Sequence, residues 1–170
     1  MTNAKREPTP CGGTINIRRA HPADADIIAS FNQAMAAETE RKTLDTRTAL
    51  DGVEAALADS DRALYFVAEM DGEVVGQTMV TTEWSDWRNG WFWWIQSVYV
   101  DPAHRRRGIF SSLYDHIRKS ARSTPDVCGL RLYVHDQNER AIQAYRKLGM
   151  SVTPYLLCEE EWPSDGCRAS

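Results

Sequence analysis

Val98-Tyr99-Val100-Asp101-Pro102-Ala103-His104-Arg105-Arg106-Arg107-Gly108-Ile109-Phe110 is the stretch on which the reading turns. An apolar strand stops at Asp101-Pro102, three arginines and a glycine follow, and an amphipathic helix begins at once. The first amides of a helix have no internal partner and lie at the positive end of its dipole. With glycine and arginine beside them they form a cradle for an anion. The chain is acidic overall, with a net charge of -4, yet residues 104–122 hold six Arg/Lys against one Asp. Positive charge gathered at one spot of an acidic protein points to a phosphorylated ligand. It argues against a nucleic-acid surface.

The rest of the composition sets the frame. At 170 residues the chain is expected to form one domain with a substantial core, over residues 13–159. A flexible leader is expected over residues 1–12 and an acidic tail over residues 160–170. Apolar runs such as residues 91–95 are strand-sized, so no membrane partner is expected. The polar N-terminus carries no apolar signal core, and Cys11, Cys128, Cys158 and Cys167 show no CxxC pairing. Reduced thiols, a cytoplasmic location and no metal follow as expectations. His21, His104, His116 and His135 form no ligand pattern.

Outward from the basic turn, periodicity places the remaining elements. Residues 14–19 read as a first strand, and Pro22 opens a helix with Ile27, Ile28, Phe31 and Met35 on one face. Residues 38–42 read as a charged connector. Asp45 caps a second helix, with Leu50, Val53 and Leu57 as its stripe. Asp71-Gly72 joins strands over 64–70 and 73–82 in a hairpin. A polar loop over 83–90 leads into a strand over 91–100. Beyond the basic turn, Ile109, Leu113, Ile117 and Ala121 mark a helix that stops before Pro125. A short strand over 130–134 follows, then a capping box at residues 136–139. The last helix carries Ala141, Ala144, Tyr145 and Leu148 inward and ends at Gly149. Residues 151–159 read as a final edge strand. The order βααβββαβαβ is mixed α/β.

This order, with Arg105-x-x-Gly108 between the fourth strand and the third helix, resembles the GNAT superfamily of acetyl-CoA-dependent N-acetyltransferases. Residues 95–110 resemble its acetyl-CoA motif, (Arg/Gln)-x-x-Gly-x-(Gly/Ala). Asn138-Glu139-Arg140-Ala141-Ile142-Gln143-Ala144-Tyr145-Arg146-Lys147-Leu148-Gly149-Met150 resembles its later Asn-x-x-Ala-x-x-x-Tyr-x-x-x-Gly motif. The resemblance implies a central mixed sheet splayed between the fourth and fifth strands, with helices on both faces. It implies that the amides of Arg105, Arg106, Arg107, Gly108, Ile109, Phe110 and Ser111 hold the CoA pyrophosphate. Val98, Tyr99 and Val100 would pair with the pantetheine arm, Asn138 would bond the cofactor, and Tyr145 would act as general acid. Two positions depart from the pattern. Phe110 stands where glycine or alanine is usual, and Gln96 where many members carry a glutamate base.

Acyl transfer from a thioester to an amine needs an anchored donor, a neutral amine, a polarised carbonyl and a proton for the departing sulfur. A lysine-like amine of pKa about 10.4 costs roughly 4–5 kcal/mol to deprotonate at pH 7, and an α-amine near 8 only about 1 kcal/mol. Glu83 is the first candidate for the base and Asp86 the second, both otherwise solvated charges of the loop. Trp84, Trp87 and Gln96 complete a candidate acceptor site, although packing against a second subunit in a homodimer accounts for the tryptophans equally well. The reading is therefore an N-acetyltransferase acting by direct attack on a primary amine that the sequence leaves open. The alternative is a CoA-binding regulatory module without catalysis. A dinucleotide binder is disfavoured, since no GxGxxG follows any strand.

Overall fold

A computed structural model describes residues 13–160 and Trp162. The expected leader, and the expected tail apart from Glu160 and Trp162, lie outside the described residues, as do Cys11 and Cys167. Two compact units are formed, the first ending at Tyr133 and the second beginning at Val134. In the first, β1 (Asn16–Arg19), α1 (Ala25–Glu40), α2 (Thr46–Ala58), β2 (Leu64–Met70), β3 (Glu73–Ser85), β4 (Gly90–Val100), α3 (Ile109–Ser123) and β5 (Val127–Leu132) follow in order. The second contains α4 (Glu139–Lys147). The five strands lie side by side in chain order, antiparallel except for the parallel pair β4–β5.

Alternation along β2 sends its side chains to opposite faces. Tyr65 and Val67 pack with Ala25, Ile28 and Ala29 of α1 and Val53 of α2. Phe66, between them, lies 5.3 Å from the ring of His116 on α3. Helices therefore cover both faces of the sheet, as expected. The predicted stripe of α3 is buried throughout, with Ile109, Leu113 and Ile117 at most 2% exposed. Each such side chain contributes about 1.5–3 kcal/mol by leaving water.

The entry to α1 is tied to the sheet by a buried ion pair. Asp24, 5% exposed, receives Arg18 Nη1 and Nη2 at 2.8 and 2.9 Å and the His21 amide at 2.9 Å. The Arg18 guanidinium holds the Asp24 carboxyl below its ordinary pKa. Arg18 also reaches Glu69 on β2 at 3.1 Å, so β1, β2 and the start of α1 share one charge cluster.

Several predicted boundaries move. The helix runs through Glu40 and ends on Arg41 at φ 55°, so Glu38 belongs to α1 and not to a connector. Glu83, Trp84 and Ser85 extend β3, which shrinks the loop to a turn over residues 86–89. β5 starts at Val127, three residues early, because Gly129 permits the close parallel packing: a Cβ there would sit 2.7 Å from Phe92. Residues 151–159 form no strand. Pro154 supplies no amide to a ladder and holds φ fixed. Among the described residues, no helix is long and apolar enough to cross a membrane.

Candidate functional site

Parallel pairing of β4 with β5 ends at Ile95 opposite Leu132, while β4 continues to Val100. Over that last stretch β4 keeps its partner β3 on the other side, through Met79–Gln96, Gln77–Tyr99 and Gly76–Val100. The two strands thus part company as expected, and among the described residues one edge of β4 is left without a ladder. Two steps along β3, from Gln77 to Met79, match three along β4, from Tyr99 to Gln96, so a bulge at Ser97 and Val98 faces Thr78. Ser97 takes φ 50°, a left-handed conformation costing a non-glycine residue on the order of 1 kcal/mol. A polar set from three elements holds it. Gln77, fully buried, donates to Asn32 Oδ1 at 2.6 Å and to the Ser97 carbonyl at 3.5 Å. Asn32 donates to the Tyr65 hydroxyl at 3.4 Å, and Thr78 donates to the Gln96 carbonyl at 3.2 Å. Burial pushes the Tyr65 phenol up, with Asn32 and Ser97 as its hydrogen-bond neighbours.

Beyond Val100 the chain makes a short 3-10 turn, Pro102–His104, capped by Asp101 accepting from the Ala103 amide at 2.8 Å. Arg106 at φ 66° and Gly108 at φ 83° are left-handed, with Arg107 between them of ordinary sign. Such alternation turns successive amides to one side and forms a nest for an anion. The first internal bond of α3 is from the Ser112 amide to Gly108 at 3.0 Å, so the amides ahead of it lie at the open end of the helix. A Cβ added to Gly108 would meet nothing within 4 Å, so the space over the nest is open. The Phe110 ring does not fill it. It is half-buried and inclines along α3 toward Tyr114, 6.5 Å between ring centres. An open nest beside an unpaired strand edge fits a ligand with a diphosphate and an extended amide-bearing arm.

The bulge also decides which side chains share a face. Met79 packs on the α1 side, and Gln96 stands directly opposite it, so Gln96, Trp94 and Phe92 face that side too. Glu83 joins them, but both of its oxygens are engaged. Oε1 accepts from Arg131 Nη1 at 2.6 Å and Oε2 from the Trp94 indole. Arg131 lies over the Phe92 ring at 3.7 Å, and Tyr133 stacks on Trp94 at 4.4 Å. Gln96 donates to the Thr81 hydroxyl at 2.6 Å. Trp84 instead points to the opposite face, where it meets Trp91 at 5.0 Å. Asp86 and Trp87, the latter 86% exposed, sit in the turn beyond Gly90, about 20 Å along β4 from Gln96. The structure therefore puts Glu83 and Gln96 on one face of the sheet, four positions apart along β4, and leaves Trp84 on the other face and Asp86 and Trp87 in the turn.

The profile of the acetyltransferase (GNAT) family matches residues 29–150. The chain belongs to this family. It is 44% identical to a possible acetyltransferase from Clostridium difficile 630, whose crystal structure superposes with a TM-score of 0.82 over 88% of this chain and 98% of that one. L-methionine sulfoximine/L-methionine sulfone acetyltransferase of Salmonella typhimurium is 32% identical over 152 residues, 84% of this chain and 83% of that protein. Phosphinothricin N-acetyltransferase of Streptomyces viridochromogenes is 28% identical over 142 residues, 79% and 73% respectively. The chain is thus a GNAT acyltransferase, of a family that uses acetyl-CoA. The comparisons lend no support to a silent CoA-binding module.

In this acetyltransferase the second motif lies on α4, in the second unit. Asn138 is the N-cap, its Oδ1 accepting from the Ala141 amide at 3.1 Å. Gly149, at φ 90°, closes the helix with the expected double bond: its amide to Arg146 at 3.0 Å and the Met150 amide to Tyr145 at 3.0 Å. Burial pushes the Tyr145 phenol up. Sequence reading missed Asn32, Tyr65, Gln77 and Arg131, and placed Glu38 only in a charged connector. None lies in a family motif, and each acquires its role only by meeting a distant element.

Proposed function

We propose that this GNAT enzyme transfers the acetyl group of acetyl-CoA to the α-amino group of a small amino-acid-like acceptor. The parting of β4 from β5 at Ile95 and Leu132 carries the reading, because it leaves Gln96 to Val100 open beside the nest. Acetyl-CoA supplies the acetyl group activated as a thioester. The edge of β4 at Val98, Tyr99 and Val100 orients the pantetheine arm. The amides from Arg106 through Ser111, with the side chains of Arg106 and Arg107, hold the diphosphate. With its oxygen spent on the helix cap, Asn138 offers Nδ2 to the cofactor. Tyr145 keeps its proton at neutral pH and delivers it to the departing sulfur.

The choice of acceptor follows from the missing base. Glu83 is occupied on both oxygens, and the amide of Gln96 takes up no proton. A less basic amine suits such a site: a peptide-like α-amine costs about 1 kcal/mol to deprotonate at pH 7 against roughly 4–5 for a lysine-like one, and the α-amine of a free amino acid falls between the two. The relative named for L-methionine sulfoximine and L-methionine sulfone supports the same class. The test is acetyl-CoA consumption across a panel of α-amino acids, Nα-blocked lysine, polyamines and aminoglycosides. Faster turnover with α-amines at pH 7 is the expected result. Consumption confined to the alkylamines overturns the acceptor class.

A companion measurement addresses Glu83. In the Glu83→Gln variant, the acid limb of the kcat/KM profile should keep its position, while activity falls by less than about tenfold through the loosened Trp94 and Arg131. Loss of that limb would restore Glu83 as the base.

A further inference from the structure

Of the three arginines in the basic turn, Arg105 alone is already committed. Its Nη2 reaches both oxygens of Glu38, at 3.0 and 2.7 Å, and its Nε donates to the Val100 carbonyl at 2.9 Å. The Tyr99 hydroxyl donates to the same Glu38 carboxylate at 3.1 Å. The guanidinium lies 5.4 Å from the centre of the Tyr99 ring, and that ring packs against Phe31 of α1 at 5.1 Å. One carboxylate in the last turns of α1 therefore ties together the end of β4 and the start of the nest. Arg106 is exposed and left-handed, and Arg107 has only a 3.8 Å contact with the Met70 sulfur. Arg105's amide is also spent, donating to Pro102 at 3.4 Å inside the 3-10 turn.

A guanidinium has five donors in a rigid fork, and three of Arg105's bonds here go to protein oxygens. The bonds leave the two Nη1 donors over, but a phosphate reaching them would approach the Glu38 carboxylate, itself an anion that already offsets the guanidinium charge. We propose that Arg105 is a positioning residue of the cofactor cradle: through Glu38 it pins α1 to the junction of β4 and the nest, and phosphate falls to Arg106, Arg107 and the amides. The sequence motif places Arg105 in the phosphate cradle and Glu38 in a charged connector remote from it. The geometry makes Glu38 its partner. The two roles predict opposite consequences of neutralising Glu38.

The proposal rests on acetyl-CoA being the ligand of the nest, so its test has one arm that does not need acetyl-CoA. Glu38→Gln, Arg105→Gln and the double variant are titrated with acetyl-CoA by calorimetry, beside the unaltered protein. The expected result is a roughly three- to fivefold loss of affinity for each single variant, the scale of a part-exposed ion pair. The double variant should lose little more than either single one, because both substitutions break the same link. In steady state, KM for acetyl-CoA rises by a larger factor than kcat falls. Hydrogen exchange of the unliganded protein should speed up at His104 and Arg105 in Glu38→Gln by a similar factor. Affinity that is unchanged or improved in Glu38→Gln but reduced in Arg105→Gln makes Arg105 a phosphate ligand and overturns the proposal. Unchanged affinity in both variants overturns it too. If the unaltered protein binds no acetyl-CoA, the proposed function fails, and the exchange measurement still decides whether Glu38 holds the turn.

Discussion

Gly108→Val is expected to abolish useful acetyl-CoA binding, lowering affinity on the order of a hundredfold or more. Two effects act together. Gly108 sits at φ 83°, where an L side chain costs about 1–2 kcal/mol, so the nest relaxes away from its amide-presenting shape. The space a side chain would enter is open, since among the described residues a Cβ there meets nothing within 4 Å beyond its own chain neighbours, and it is the space that a ligand of those amides must occupy. The fold itself should survive, since α3 is anchored by Ile109, Leu113 and Ile117. Calorimetric titration with acetyl-CoA, beside a thermal melt to confirm folding, measures the effect. A folded valine variant that binds as well as the original would remove the anion cradle from the mechanism.

Tyr145→Phe is expected to act on the other parameter. Turnover should fall on the order of a hundredfold, the scale of a lost general acid, while acetyl-CoA affinity changes little. Burial raises the phenol above its ordinary range, so the residue carries its proton through neutral pH. The alkaline limb of kcat in the unaltered enzyme should accordingly lie above about pH 10 if this phenol sets it. Single-turnover rates with saturating acetyl-CoA check the prediction. Unaltered turnover would make Tyr145 a packing residue of α4.

The parts that were legible in the chain are those whose physics is local. The stripe Ile109, Leu113, Ile117 and Ala121 is a spacing, and the helix it predicts is buried on that face. Asp71-Gly72 is a turn chemistry, and the hairpin forms there. Gly149 is a helix stop, and both of its expected amide bonds are present. The failures are equally local in cause. Glu83-Trp84-Ser85 looks polar enough for a loop, yet cross-strand pairing with Phe92, Trp91 and Gly90 extends β3 through it. Strict alternation along β4 places Tyr99 on the face opposite Gln96. The bulge at Ser97 and Val98 inserts one residue and returns Tyr99 to the α1 side, where it meets Phe31 and Glu38.

Family membership, the nest with Gly108 at its head, and the stop of α4 could be read from neighbouring residues alone, since each depends on dihedral preference and periodicity within a few positions; the cap of α4 falls on Asn138 and not on a box begun by Asp136. The fate of individual charges could not. Glu83 as a tether between Trp94 and Arg131, and Arg105 turned from the anion site to Glu38, 67 residues away, exist only because strands and helices remote in the chain are packed together. A carboxylate's chemistry is set by what stands within 3 Å of it, and along a chain that neighbour has no address until the sheet is assembled.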